Sequence, residues 1–325
     1  MSQMGKGQKR LEGRTKQQRQ TIRKQMGTLK NLTLQPRTRI RYDKAKSQFY
    51  AYLDFNNIEL PKQKSALDGL LCDYLEHLWA SGEGRALASD TLASLQDVSP
   101  RLRGSIPGAW RLLKAWNSNE IPNRAPPLPE RVLHSLVGYY IFHRQQGMDL
   151  SLLLGFYGML RTGELLGIRN KDVTVDLQAS TAVISLGYTK GGKRAGAAES
   201  VTVAVTEVVR RLAHWKRATP PGSLLCASPQ TWRKSFSAAL SALSLESWEF
   251  RPYSLRRGGA TFWFSRHGSL DRILLQGRWM AARTARTYLN EGLAVLAEIN
   301  IPYASLRPFH TVYLNSTKTA LSKWK

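Results

Sequence analysis

Negative charge is scarce in this sequence. Its 325 residues include 48 Lys and Arg but only 23 Asp and Glu, a formal charge of +25, and an excess that large favours a polyanionic partner, nucleic acid first. Long apolar runs are missing as well. No stretch approaches the roughly 18 apolar residues of a membrane-spanning helix, and no apolar segment of signal-peptide type opens the chain. No membrane partner is expected, and the chain reads as soluble and intracellular. Cysteine is limited to Cys72 and Cys226, far apart in apolar surroundings, which argues against a disulfide framework and for two buried thiols. His77, His134, His143, His214, His267 and His310 show no paired spacing with a nearby acid or thiol that would hold zinc. The segment GYTKGGKR, residues 187–194, has the glycine and lysine spacing of a phosphate-cradling loop. Arg194 stands where that loop needs a magnesium-binding hydroxyl, and the segment joins strand to strand rather than strand to helix. Neither a metal nor a cofactor is expected.

At one domain per roughly 150 residues, the length suggests two domains. Residues 1–40 carry eleven Lys and Arg, a single acid, Glu12, much Gln and few apolar residues; that composition predicts a basic arm, disordered when free. It fits a solubilising tail, a nuclear-import signal or a DNA-gripping arm. Helical periodicity follows in Tyr42, Ala45, Phe49 and Leu53, and again in Leu67, Leu70, Leu71, Tyr74, Leu75 and Leu78. Shorter stripes at Leu92, Leu95 and Val98 and at Trp110 and Leu113 complete a helical module over 41–122. NRAPPLPE, residues 123–130, contains three prolines that forbid a continuous helix, and is read as the linker between domains. The second domain, 131–310, opens with the apolar helix SLLLGFYGML. DVTV, TAVISLGY and ESVTVAV then predict a three-stranded meander, because β-branched residues dominate between polar turns. Helical patterns resume from Glu207, and 311–325 is taken as a C-terminal tail. The expected fold is mainly α with one small antiparallel sheet.

Breaking a phosphodiester without a metal needs a nucleophile, cations on the nonbridging oxygens and an acid for the departing 5′ oxygen. Four segments carry such groups in order. LRTGELLGI, residues 160–168, holds Arg161 with Glu164 three positions on. TKGGKR places Lys190 between the second and third predicted strands. RPYSLRRGGATF contains Tyr253 and Arg256. GRWMAARTARTYLN sets Trp279 nine residues before Tyr288, the most specific of the four spacings. In this order they resemble the boxes of the tyrosine recombinase, or phage integrase, family, over roughly residues 128–292. Two departures are visible: Tyr253 occupies the place of the family's histidine, and Gly258 and Gly259 follow the second arginine.

The resemblance implies a catalytic domain preceded by a helical, SAM-like core-binding domain, closing together on double-stranded DNA. It implies Tyr288 as the nucleophile that forms a 3′-phosphotyrosine, Arg161 and Arg256 on the nonbridging oxygens, and Lys190 as acid to the 5′ oxygen. Trp279 would donate its indole N–H to phosphate, Tyr253 would act as a positioning donor, and Glu164 would orient Arg161 or buttress the hairpin. Recombination between paired sites would take a homo-tetramer, acting in the nucleus of a eukaryote or in the cytoplasm or nucleoid of a prokaryote or phage host. A type IB topoisomerase, or a DNA-binding protein that keeps the fold without the activity, are the alternative readings.

Overall fold

The computed structural model describes residues 15–120, 123–145, 147–187, 189, 198–226 and 228–322. Two compact units are present, one ending at Asn123 and the other beginning at Arg124. Among the described residues, no helix is long and apolar enough to cross a membrane.

The first unit is helical: α1 (Lys16–Met26), α2 (Leu29–Leu32), α3 (Pro36–Phe55), α4 (Lys64–Ala80), α5 (Arg85–Val98) and α6 (Pro107–Asn119). Its core gathers Phe49, Leu71, Tyr74, Leu92, Ile106 and Leu113, the inward stripes of four helices. The arm expected to lack structure is helical from Lys16. Thr15 and Gln18 form a reciprocal capping box, and Lys, Gln and Arg are good helix formers once a cap is supplied. α1 buries no residue, so local chemistry rather than packing produces it.

The second unit begins with the proline-rich segment, which is packed rather than free. Leu128 is buried in the core, and its N–H donates to the Ser254 carbonyl over 3.1 Å. There follow α7 (Glu130–Phe142), α8 (Met148–Tyr157) and α9 (Thr162–Leu165), then β1 (Val173–Asp176), β2 (Thr181–Gly187) and β3 (Glu199–Val203). The strands pair antiparallel in the order β1-β2-β3, with Val173 opposite Ile184 and Ala182 opposite Val203. Ala182, Ile184 and Leu186 alternate into the core, the period of a sheet with one buried face. The remaining helices are α10 (Thr206–Ala218), α11 (Pro229–Ala242), α12 (Pro252–His267), α13 (Leu270–Gly277), α14 (Ala282–Arg286), α15 (Glu291–Asn300) and α16 (Tyr303–Ser322).

Two features place the site. α8 is buried along its whole length, and α12 lies against it so closely that a Cβ on Gly259 would strike the Phe156 carbonyl, and one on Gly258 the Leu128 carbonyl. The glycine pair after Arg256 is therefore a packing requirement. The segment expected to be a tail from residue 311 is instead the second half of α16. Leu306 and Tyr313 are buried and Phe309 packs beside them, a stripe at helical spacing, and a Cβ on Gly138 of α7 would meet the Phe309 carbonyl.

Candidate active site

Tyr288 sits in the turn after α14, where its N–H reaches the Ala285 carbonyl over 2.8 Å. Its ring lies 4.5 Å, centre to centre, from Trp279 and 5.5 Å from Tyr253, and the two phenol oxygens are hydrogen-bonded to each other. The nine-residue spacing thus has a cause: α14 folds the chain back so that Trp279, just past the end of α13, and Tyr288, just past the end of α14, pack ring against ring at a tilt.

Arg256, on the first turns of α12, is 1% exposed. Its Nη1 donates to the Met159 carbonyl, and its Nη2 to that of Gly277 over 2.6 Å. Met159 holds the left-handed φ of 44°, uncommon for a side-chain-bearing residue, and so turns its carbonyl toward the guanidinium. The guanidinium carbon lies 4.7 Å from the Trp279 ring centre and 5.4 Å from that of Tyr288. No carboxylate pairs with it among the described residues, and its Nε is buried without a partner. Burial first, then the charges of Arg161 and Arg278, push its pKa down to about 10. A buried cation held by carbonyls alone is costly unless an anion joins it.

Arg161 caps α9 and is clamped by Glu164: Nη1 to Oε1 at 2.6 Å, and its own backbone N–H to Oε2 at 2.8 Å. Burial works to lower its pKa, but Glu164 outweighs it and the net shift is upward. Its electrostatic reach extends to Tyr253, Tyr288 and Arg256.

The phenols are shifted in opposite senses. Burial raises the pKa of Tyr253, and its hydrogen bond to Tyr288 adds to the rise. Burial also works upward on Tyr288, but the hydrogen bond from Tyr253 and the charge of Arg256 outweigh it, so its net shift is downward. Of the two, Tyr288 is the better phenolate. Trp279 is buried with its indole N–H unpartnered; the N–H favours the phenolate electrostatically without meeting hydrogen-bond geometry.

Arg161, Glu164, Tyr253, Arg256, Trp279 and Tyr288 are brought together. Lys190 lies outside the described residues. The sequence reading missed Arg278, whose side chain bridges Glu164 and Glu199, although it directly precedes Trp279 in the closing segment.

Two solved structures share this architecture. XerH site-specific recombinase, in a post-cleavage complex with palindromic difH substrate, superposes with a TM-score of 0.52 at 17% identity, covering 80% of this chain and 78% of its own. The Tn1549 transposon integrase, in complex with transposon right-end DNA, gives 0.52 at 11% identity, covering 82% and 94%. This chain has the tyrosine-recombinase fold. No family model and no curated protein matches it in sequence. Within that fold, this chain places a phenol, Tyr253, against Tyr288.

Proposed function

We propose that the chain is a site-specific DNA recombinase or integrase that breaks and rejoins strands through Tyr288. The observation that carries this reading is Arg256: a buried guanidinium paired with no carboxylate among the described residues, lying over the Trp279 and Tyr288 rings. Such a group is arranged for an anion that arrives, and the phenol beside it is the group able to attack one. Tyr288 oxygen bonds to the scissile phosphorus as its proton passes to solvent. The bond from phosphorus to the 5′ oxygen breaks, and Lys190 protonates that oxygen. Arg256 and Arg161 hold the nonbridging oxygens, for which their planar forks are suited. A 5′ hydroxyl from a partner strand then attacks the 3′-phosphotyrosine, returning its proton to Lys190; the diester is reformed and Tyr288 leaves, regaining a proton from solvent. The two arginines supply the charge and Lys190 the leaving-group proton, and the resemblance implies that neither metal nor cofactor is required.

Duplex DNA is the proposed substrate, in keeping with the DNA-bound state of the two structural neighbours and with the formal charge of +25. Four copies on two paired sites are the proposed assembly, placing the chain wherever its DNA is: the nucleus of a eukaryote, or the cytoplasm of a prokaryote. The test is selection of covalently trapped DNA from genomic fragments, followed by reaction of the enriched sequence on supercoiled and on paired-site substrates. Joined products are expected. Relaxation alone would assign a topoisomerase, and binding without any adduct a DNA-binding protein that has lost the reaction.

A further inference from the structure

We infer that Arg278 is a positioning residue that ties three separate segments of the cleavage site into one frame, acting through Glu164 and Glu199; this rests on the strand-transfer reading above. Arg278 ends α13 in the left-handed conformation, φ 55° and ψ 47°, and its N–H closes that helix on the Leu275 carbonyl at 3.1 Å. This backbone reversal turns the side chain inward, where only 8% of it stays exposed. Nη2 meets Glu164 Oε2 at 2.6 Å, and Nε lies 3.5 Å from Glu199 Oε2. Glu164 is the carboxylate that clamps Arg161. Glu199 opens β3 and accepts from the Thr189 hydroxyl over 2.6 Å, and Thr189 immediately precedes Lys190 in the chain. One side chain thus joins the Arg161 turn, the end of α13 and both sides of the β2–β3 hairpin. On either side of it in sequence, Gly277 offers its carbonyl to Arg256 and the Trp279 ring packs at a tilt against Tyr288.

The arrangement also sets the sign of the site. Glu164 and Glu199 face the arginines that are to receive a phosphate. With Arg278 between them, three guanidinium charges stand against two carboxylates and the site keeps a net positive charge. Without it, two carboxylates would face Arg161 and Arg256 alone and would cancel much of the cationic field a phosphate meets. Arg278 differs in this from Arg256, which makes no direct ion pair among the described residues. Removing one member of a buried ion pair leaves the other uncompensated, so the effect of a substitution should pass through the acids.

The prediction is specific to that route. On duplex fragments enriched by binding to the wild-type protein, Arg278→Gln should slow adduct formation at saturating DNA on the order of a hundredfold, with affinity changed by no more than about threefold. Arg278→Lys should recover part of the rate. Adding Glu199→Gln to Arg278→Gln should also recover part of it, because the stranded acid is gone. Loss of affinity as large as the loss of rate, with no rescue by Glu199→Gln, would overturn the inference. Amide hydrogen exchange supplies a readout that does not depend on turnover: in Arg278→Gln, amides of Thr162–Leu165 and Glu199–Val203 should lose protection together while Met148–Tyr157 keeps its own. Unchanged exchange in those two segments would equally overturn it. If wild-type protein forms no adduct at all, the strand-transfer reading falls, and the exchange data still decide whether Arg278 organises the site.

Discussion

At the scale of single residues, the informative substitution is Tyr253. A histidine there would exchange protons near neutral pH, which a phenol with a reference pKa of about 10 cannot match. Its hydroxyl is hydrogen-bonded to Tyr288 and its side chain is still 42% exposed, open enough to turn toward a phosphate. Tyr253→Phe should slow cleavage about tenfold, the scale of one lost hydrogen bond to a charged group, and Tyr253→His should keep or raise the rate. Single-turnover adduct formation measures both, and a folded, DNA-binding histidine variant with no activity would remove Tyr253 and Arg256 from the site. The residues named from sequence owe their legibility to spacing: Trp279 and Tyr288 are separated by one short helix, and Arg161 and Glu164 by one helical turn. Arg278 carries no such mark. Its partners, Glu164 and Glu199, lie far away in sequence, and only the left-handed end of α13 aims it at them.

At the scale of elements, the strands and the buried helix α8 were legible because β-branched alternation and a continuous apolar run are strong local signals. α16 was not, because its second half is rich in Thr and Ser, and its buried side can be recognised only with α7 laid against it. That contact holds a titratable cluster. His134 of α7 stacks 4.1 Å from Tyr313 and 5.8 Å from His310, with Nε2 3.0 Å from the Tyr157 oxygen. Tyr157 gives its own hydrogen to Glu130 at 2.6 Å, so its oxygen accepts from a neutral His134. Burial, then the charge of His310, lowers the His134 pKa to about 3, and burial lowers that of His310. Both histidines take up protons more readily when unfolded, so their contribution is complete above the unfolded value of about 6.5 and is lost as pH falls toward 3. Melting temperature should drop between pH 7 and 5, with a slope from His134 of at most about 1.4 kcal/mol per pH unit, and His134→Gln should flatten it. A wild-type melting temperature constant over that range would refute this account of the α7–α16 contact. The α8–α12 contact is tested separately by Gly259→Ala, which forces a methyl onto the Phe156 carbonyl. It should cost about 2 kcal/mol by overpacking, read from denaturant unfolding, and a neutral result would mean that the two helices can part without penalty.

At the scale of the whole molecule, the charge is distributed unevenly: eleven of the 48 Lys and Arg lie in residues 1–40. Composition alone suggested a disordered arm there, and the capping box at Thr15 shows why it failed from Lys16 onward: a cap of two residues decides a helix that bulk charge does not reveal. Because α1 buries nothing, removing it should leave the rest of the fold in place. A chain lacking residues 1–35 should bind DNA more weakly and with a shallower salt dependence, since each phosphate contact adds about 0.9 to the slope of log affinity on log salt. Affinity titrations from low to moderate salt measure this, and an unchanged slope would show that the arm does not touch DNA. The central claim is that Tyr288 is the group that joins the chain to DNA. Incubating wild-type and Tyr288→Phe protein with labelled genomic duplex and resolving the products in denaturant tests it most directly. The account predicts a denaturant-stable adduct with wild type and none with the phenylalanine variant, at similar DNA affinity; an adduct that persists in Tyr288→Phe would contradict it and direct attention to Tyr253.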